Sequence, residues 1–337
     1  MMFGLQGAPG VFQELMEILA SQCKQDAQVR KILEFGHLAS FFDDTGVGTQ
    51  TEDEHFVLLD RYFQVCQANN IRIKLSKCSF LETEIDYFGY TVGWGTWKPC
   101  VKKVQAILKS EVKNLKDLRK FLGAMNFYRR HVKNFTFSSA PLTELLKKEV
   151  KWRWTEVEQK CFEELKHKIA DMEVLGVPRP TGEMVMVTDS SDLGGGSTLF
   201  QWQCLEKEQI PNKFVTIGVN PDGTFRHTYP DNYRLVPLGH WNWKWNPARQ
   251  KYHSWEQEML GGVLTLASQT RIVGHLPKIW FTDNDALTSF LDKEPPLNKR
   301  QRRWYTFLGQ YQLKVFHFPG IKMSSVIFSQ GTRLLQW

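Results

Sequence analysis

Near residue 180 the hydrophobic period of the chain changes from helical to alternating, and that change constrains the fold more than any other feature. Between about 101 and 170 apolar residues recur at helical spacing. Leu115, Leu118, Phe121, Leu122 and Met125 follow Asn114, whose side chain suits a helix start, and Thr155 with Glu158 forms a capping pattern for another segment. From 183 the pattern belongs to strands: GluMetValMetValThrAsp, the Gly-rich run at 194–200, then ThrIleGlyVal and ThrPheArgHis around the turn Asn220-Pro221-Asp222-Gly223. One continuous core cannot serve both periods, so a new domain is expected to begin near 180. A length of 337 residues fits two or three domains, each burying its own core.

The first hundred residues mix both periods. Phe12, Leu15, Met16 and Leu19 follow Pro9 at helical spacing. Leu38 to Phe42 reads as a strand, and Asp43-Asp44-Thr45-Gly46 is turn chemistry, which puts two acids at a hairpin tip. Thr51 with Glu54 forms a capping box ahead of Leu59, Tyr62, Phe63 and Cys66. Short strands are expected at 71–74 and 87–92. Beyond 240, Ser254 with Gln257 predicts a helix through Val263 and Leu266, and strands are expected at 278–283 and 314–318.

Composition excludes several classes. Hydrophobic residues are 42% and charged residues 23%, too apolar for a disordered chain. No stretch approaches the roughly 18–20 apolar residues of a membrane span, and no basic start precedes an apolar run, so an intracellular setting, cytoplasmic or nuclear, is expected. The six cysteines lie far apart without a C-x-x-C pair, which argues against zinc and against a disulfide framework. Lys and Arg exceed Asp and Glu by 43 to 36, and the resulting +7 favours polyanionic partners.

Three constellations carry chemistry. Asp43 and Asp44 on a tight turn can reach a shared divalent cation, although a solvated acidic turn is the competing reading. Asp189 at a strand end, Glu258 in a helix and Asp283 at a second strand end can converge on two metal ions, the arrangement that clamps both oxygens in phosphodiester cleavage. Glu256 is the neighbouring alternative to Glu258, and His253 reads as an ordinary surface or core histidine. Basic residues with aromatics cluster at Lys299, Arg300, Arg302, Arg303, Trp304 and Tyr305, and again at Phe127, Tyr128, Arg129, Arg130 and His131. Both suit phosphate contacts, and both suit a solvated helix face.

Read in order, these segments resemble the pol polyprotein of gypsy-type LTR retrotransposons. Residues 3–13 are similar to the palm segment P-F-G-L-x-x-A-P-x-x-F-Q, residues 41–44 to the Y-x-D-D hairpin with Phe41 at the Tyr position, residues 74–80 to L-N-x-x-K-C-x-F, and residues 87–90 to the strand that grips the primer end. Residues 118–135, 140–147 and 162–166 resemble thumb and connection. Residues 187–192, 246–260, 281–284 and 318–321 resemble the retroelement RNase H domain. The resemblance implies an α+β palm fragment (1–100) and helical thumb and connection (101–180), followed by an α/β RNase H-like domain with a mixed sheet (181–337). It further implies catalytic acids at Asp43 and Asp44 and a metal-binding set of Asp189, Glu258 and Asp283. A nucleotide pocket is implied at Gly7, Ala8, Pro9, Phe12, Gln13 and Lys77. Nucleic-acid contacts are implied at Arg129, Arg130, Arg300, Arg302, Arg303, Tyr87, Phe88, Gly89 and Tyr90. The cofactor it implies is Mg2+ of the two-metal type, and the expected partners are RNA–DNA hybrid or other nucleic acid, with the remainder of a pol polyprotein as a further candidate and no membrane.

Departures from the family pattern temper these expectations. The palm strand bearing a further metal-binding Asp lies upstream of the first residue given, so polymerisation is expected to be incomplete in this chain. Val326 stands about where the family carries a fourth RNase H acid, which makes the second ion doubtful. Gly261 and Gly262 interrupt the catalytic helix at a cost of about 1 kcal/mol each relative to Ala, and residues 205–240 insert a hairpin. Decay of an active element accounts for all four features. Two functions are therefore expected to compete: RNase H-type hydrolysis in a reverse transcriptase/RNase H segment, and a non-catalytic nucleic-acid-binding or structural remnant.

Overall fold

The computed structural model describes residues 7–34, 36–93, 95–179, 182–204, 218–219, 225–226, 233–274, 276, 278–288, 290 and 298–317. The Asn220–Gly223 turn, residues 3–6, residues 318–321 and Val326 lie outside the described residues. The chain divides into two units, 1–88 and 89–337.

The first unit contains α1 (Ala8–Cys23), α2 (Ala27–Ile32), β1 (His37–Phe41), β2 (Asp44–Gly48), α3 (Glu52–Ala68), a 3-10 turn (Leu75–Lys77) and β3 (Glu84–Tyr87). Pro9 stands in the first turn of α1, and the Thr51/Glu54 capping box opens α3. Met16, Leu19, Val29, Leu38, Leu58, Tyr62 and Val65 close one core. The hairpin β1–β2 pairs Phe41 with Asp44, which leaves Phe42 and Asp43 as a two-residue loop. The expected strand at 71–74 is absent, because those residues run irregularly into the 3-10 turn. Nor is 87–92 one strand: Phe88 and Gly89 adopt φ of 47° and 81°, and this left-handed pair interrupts the extended backbone after Tyr87.

The second unit begins with β4 (Tyr90–Gly93) and β5 (Thr96–Pro99), followed by α4 (Val101–Leu108), α5 (Leu115–Phe127), α6 (Phe135–Ser138), α7 (Ala140–Glu144), α8 (Glu156–Ala170) and β6 (Leu175–Gly176). Asn114 accepts from Lys116 N and Asp117 N at the start of α5. Leu118, Phe121, Met125, Leu142, Phe162 and Leu165 form the helical core.

The strand-rich half follows with β7 (Met184–Ser191), β8 (Gly194–Cys204), β9 (Gly218–Val219), β10 (Phe225–Arg226), β11 (Tyr233–Lys244), α9 (Pro247–Gln250), α10 (Ser254–Val273), β12 (Lys278–Thr282), α11 (Lys299–Leu308) and β13 (Leu313–His317). Its five-stranded sheet has the order β11-β8-β7-β12-β13. The β11, β8 and β7 pairs are antiparallel, while β12 is parallel to both β7 and β13, so the sheet is mixed. Residues 184–188 of the central strand β7 are all buried, as a strand covered on both faces requires. The expected hairpin within 205–240 is represented by β9 paired antiparallel with β10.

Glycine lets the strands of this sheet approach closely. A Cβ on Gly194 would lie 2.2 Å from the Trp243 carbonyl oxygen and 3.0 Å from Lys244 Cα, and backbone cannot step aside as a side chain can. Gly194→Ala is expected to lower unfolding stability by about 1–3 kcal/mol, checked by urea unfolding followed by circular dichroism.

Candidate active site

Asp189, Glu258 and Asp283 come together. Each offers a carboxylate oxygen, and the three oxygens lie within 4.8 Å of one another. Asp189 sits near the end of β7, Asp283 follows the last residue of β12, and Glu258 projects from the second turn of α10. That helix starts one residue earlier than expected, with His253 rather than Ser254 at the N-cap position, so Glu258 stands beyond the first turn.

Close packing brings the helix to the sheet. A Cβ on Gly262 would lie 2.5 Å from the Trp280 ring, and one on Gly261 would lie 3.0 Å from the Trp243 ring and 3.1 Å from Ser190 Oγ. Both glycines therefore serve contact, which corrects their reading as signs of decay. The helix tolerates their roughly 1 kcal/mol cost each because side chains of the sheet fill the space.

The two aspartates are exposed and Glu258 is 2% exposed. Glu258 Oε2 accepts hydrogen bonds from Thr188 Oγ1 at 3.1 Å and Thr282 Oγ1 at 3.2 Å. Its other oxygen, Oε1, is buried with no hydrogen-bond partner. Burial, followed by the charges of Asp283 and Asp189, pushes the Glu258 carboxyl up to about 7. Burial and Asp189 raise Asp283 as well. An orphaned buried oxygen beside two exposed carboxylates fits a divalent cation, which takes oxygen ligands and offsets clustered negative charge.

Glu256, the sequence alternative, is engaged elsewhere. Its Oε1 accepts from Arg300 Nη2 at 2.5 Å and Gln301 Nε2 at 2.8 Å, and its Oε2 accepts from His253 N at 3.2 Å. The Arg300 guanidinium lies 3.8 Å from the centre of the Tyr252 ring, so it joins α10 to α11 inside the domain. Arg302 and Arg303 on α11 are exposed, as is Arg129, whereas Arg130 is half-buried 5.6 Å from the Trp241 ring. Sequence reasoning missed His317, whose Nε2 lies 3.2 Å from the Asp283 carbonyl oxygen. No sequence signal marks it, because its place follows from the pairing of His317 with Thr282 across β13 and β12.

In the first unit Asp43 and Asp44 are exposed, Asp43 in the hairpin loop and Asp44 opening β2. Phe42 holds φ at 52°, a region few bulky residues adopt, while its N–H donates to Gln13 Oε1 at 2.7 Å. Gln13 Nε2 donates to Ser40 O at 3.1 Å, so this side chain ties the end of β1 and the first loop residue to α1. Gly7, Ala8, Pro9 and Phe12 lie in or before the first turns of α1, and Lys77 is exposed at the end of the 3-10 turn. Phe41, Phe42 and Phe88 form an exposed aromatic cluster, and Tyr87 packs edge-on to Phe88. In the second unit Tyr90 stacks on Phe127, and Gly89 O accepts from Tyr128 Oη at 2.8 Å.

Residues 1–92 match the family described as reverse transcriptase (RNA-dependent DNA polymerase), and residues 154–215 and 223–311 match two families described as an RNase H-like domain found in reverse transcriptase. The chain thus carries a reverse transcriptase domain followed by an RNase H-like domain. Together these matches support a segment of an LTR retrotransposon pol polyprotein. Similar curated proteins include the transposon Tf2-3 and Tf2-7 polyproteins of Schizosaccharomyces pombe, each 25% identical over 324 residues and covering 95% of this chain. The chain spans 22% of the length of these relatives. A foamy viral protease-reverse transcriptase solved with dsDNA has a TM-score of 0.71 at 16% identity, covering 95% of this chain and 60% of that one. The same protein solved with RNA/DNA hybrid gives 0.69, again at 16% identity, covering 96% and 40%. No described helix is long and apolar enough to cross a membrane.

The raised Glu258 gives a testable sign. A folded-state pKa above the unfolded value stabilises below about 4.5 and loses that stabilisation as pH rises through about 7. Without divalent cations, Glu258→Gln is therefore expected to stabilise the chain at pH 8 by on the order of 1–3 kcal/mol and to lose that advantage at pH 5. Thermal unfolding in EDTA at both pH values checks this.

Proposed function

We propose that this chain is an RNase H-type phosphodiesterase that cleaves the RNA strand of an RNA–DNA hybrid with Mg2+ at Asp189, Glu258 and Asp283. The observation carrying this reading is the convergence of three carboxylate oxygens within 4.8 Å, one of them on a buried side chain with an orphaned oxygen. Asp189 and Asp283 present exposed carboxylates toward substrate, while Thr188 and Thr282 fix one oxygen of Glu258 and leave the other for the ion. Divalent cations bound there would supply an acidified water and neutralise charge at the phosphate and its leaving 3′ oxygen. Glu258 must lose its proton to act as a ligand, so cation affinity, and with it activity at limiting Mg2+, should rise with pH.

Polymerisation is the less supported activity. Among the described residues Asp43 and Asp44 belong to no group of three acids able to share an ion. A nucleic-acid-binding role without chemistry is the second reading, and Val326 at the fourth-acid position of the sequence favours it.

Cleavage of a labelled RNA–DNA hybrid in Mg2+ is expected to fall at least about 100-fold in each of Asp189→Asn, Glu258→Gln and Asp283→Asn, more than loss of an outer-shell partner typically costs. Hybrid cleavage that survives all three single substitutions would overturn the assignment and leave binding as the better account. Primer extension on an RNA template is expected to be absent in the same preparation.

Hybrid affinity is expected to fall steeply between about 50 and 200 mM salt, because phosphate contacts release counterions. Arg302→Ala with Arg303→Ala should flatten that dependence, measured by fluorescence anisotropy. Arg300→Ala should instead lower thermal stability, since its guanidinium is bonded to Glu256.

A further inference from the structure

We propose that Trp280 is a positioning residue for Glu258, acting through Thr188 from a socket that Gly262 leaves open. The inference rests on the reading of Asp189, Glu258 and Asp283 as cation ligands. Trp280 is 1% exposed on β12, beside Met186 of β7. Its Nε1–H donates to Thr188 Oγ1 at 2.8 Å, and Thr188 Oγ1 in turn donates to Glu258 Oε2 at 3.1 Å.

A hydroxyl has one proton, and its direction decides what the group does. With the indole N–H directed at its oxygen, Thr188 turns its proton toward the carboxylate. Thr282 follows the same pattern, accepting from Asn284 N at 3.3 Å and donating to Glu258 Oε2 at 3.2 Å. One carboxylate oxygen is thus fixed by two oriented hydroxyls, and rotation about the terminal bond of Glu258 is restrained. Oε1, which has no hydrogen-bond partner, is thereby left for a cation shared with the neighbouring acids.

The socket explains why an indole can stand there. Gly262 sits on the helix face over the strand, and a Cβ at that position would come within 2.5–3.0 Å of three ring carbons of Trp280. A rigid ring cannot retreat from such contact without moving its N–H. Gly262 and Trp280 therefore form one device across the helix and sheet, with Thr188 as its link to the ligand.

The test is Mn2+ binding to the metal-free full chain by calorimetry, alongside hybrid cleavage as a function of Mg2+. Thr188→Val and Thr188→Ser separate orientation from packing, because Val keeps the volume without the hydroxyl and Ser keeps the hydroxyl without the volume. Expected are about 10-fold weaker Mn2+ binding in Thr188→Val, near-normal binding in Thr188→Ser, and about 3- to 10-fold weaker binding in Trp280→Phe and Gly262→Ala. The Mg2+ needed for half-maximal cleavage should rise in parallel. Thr188→Val that binds Mn2+ at least as well as Thr188→Ser overturns the proposal, as does unchanged binding in Trp280→Phe. Wild-type binding insensitive to Asp189→Asn would reject the cation site itself and the proposal with it. Wild-type binding that needs Asp189, combined with unaltered Thr188→Val, rejects the positioning role alone.

Discussion

A carboxylate buried against the central strand of a sheet is the constraint around which the second unit is built. Charge in such a place is costly unless hydrogen bonds and a counter-ion meet it. Glu258 receives two threonine hydroxyls from neighbouring parallel strands, and its carboxylate lies within 4.8 Å of two further acids. Those threonines are adjacent only because β7 and β12 run parallel, and the helix reaches them only because Gly261 and Gly262 admit the rings of Trp243 and Trp280. Removing either condition would leave the charge without its partners. The acidic site is thus a property of strand order and helix approach as much as of the acids themselves.

Much of this was legible in the sequence. Capping patterns at Thr51, Asn114 and Thr155 marked helix starts correctly because the signal lies within four residues of the backbone groups it satisfies. The change of period near 180 separated the helical stretch from the sheet. The 71–74 segment alternates like a strand but has no neighbouring strand to complete its hydrogen bonds among the described residues, and alternation alone cannot provide one. The Phe88-Gly89 interruption was hidden because an aromatic residue gives no sign of a positive φ. Of the site, the three acids could be read from spacing and resemblance. Thr188, Thr282, Trp280 and His317 could not, since their roles depend on register between strands distant in sequence.

The two acidic constellations also differ in how they are held. At the hairpin, Gln13 secures a loop in which Phe42 adopts an unfavourable backbone angle, and the carboxylates of Asp43 and Asp44 stand in solvent. In the sheet, the carboxylate itself is the restrained element. Exposed acids keep their charge cheaply, whereas a buried one couples its protonation to folding and to ion binding.

The pairing of Glu256 with Arg300 has a consequence for interpreting loss of function. Two acids stand two residues apart on one helix, and a mutational scan would score both as indispensable. Glu256 fastens α11 and the start of α10, so its loss would be felt as a softened domain, remediable by cooling or by a compensating apolar contact. On the proposed reading Glu258 holds the cation, and no gain in rigidity elsewhere would restore a missing ligand. Variation among related elements at the first position should therefore track the residue opposite it on α11, while variation at the second should track the survival of the activity.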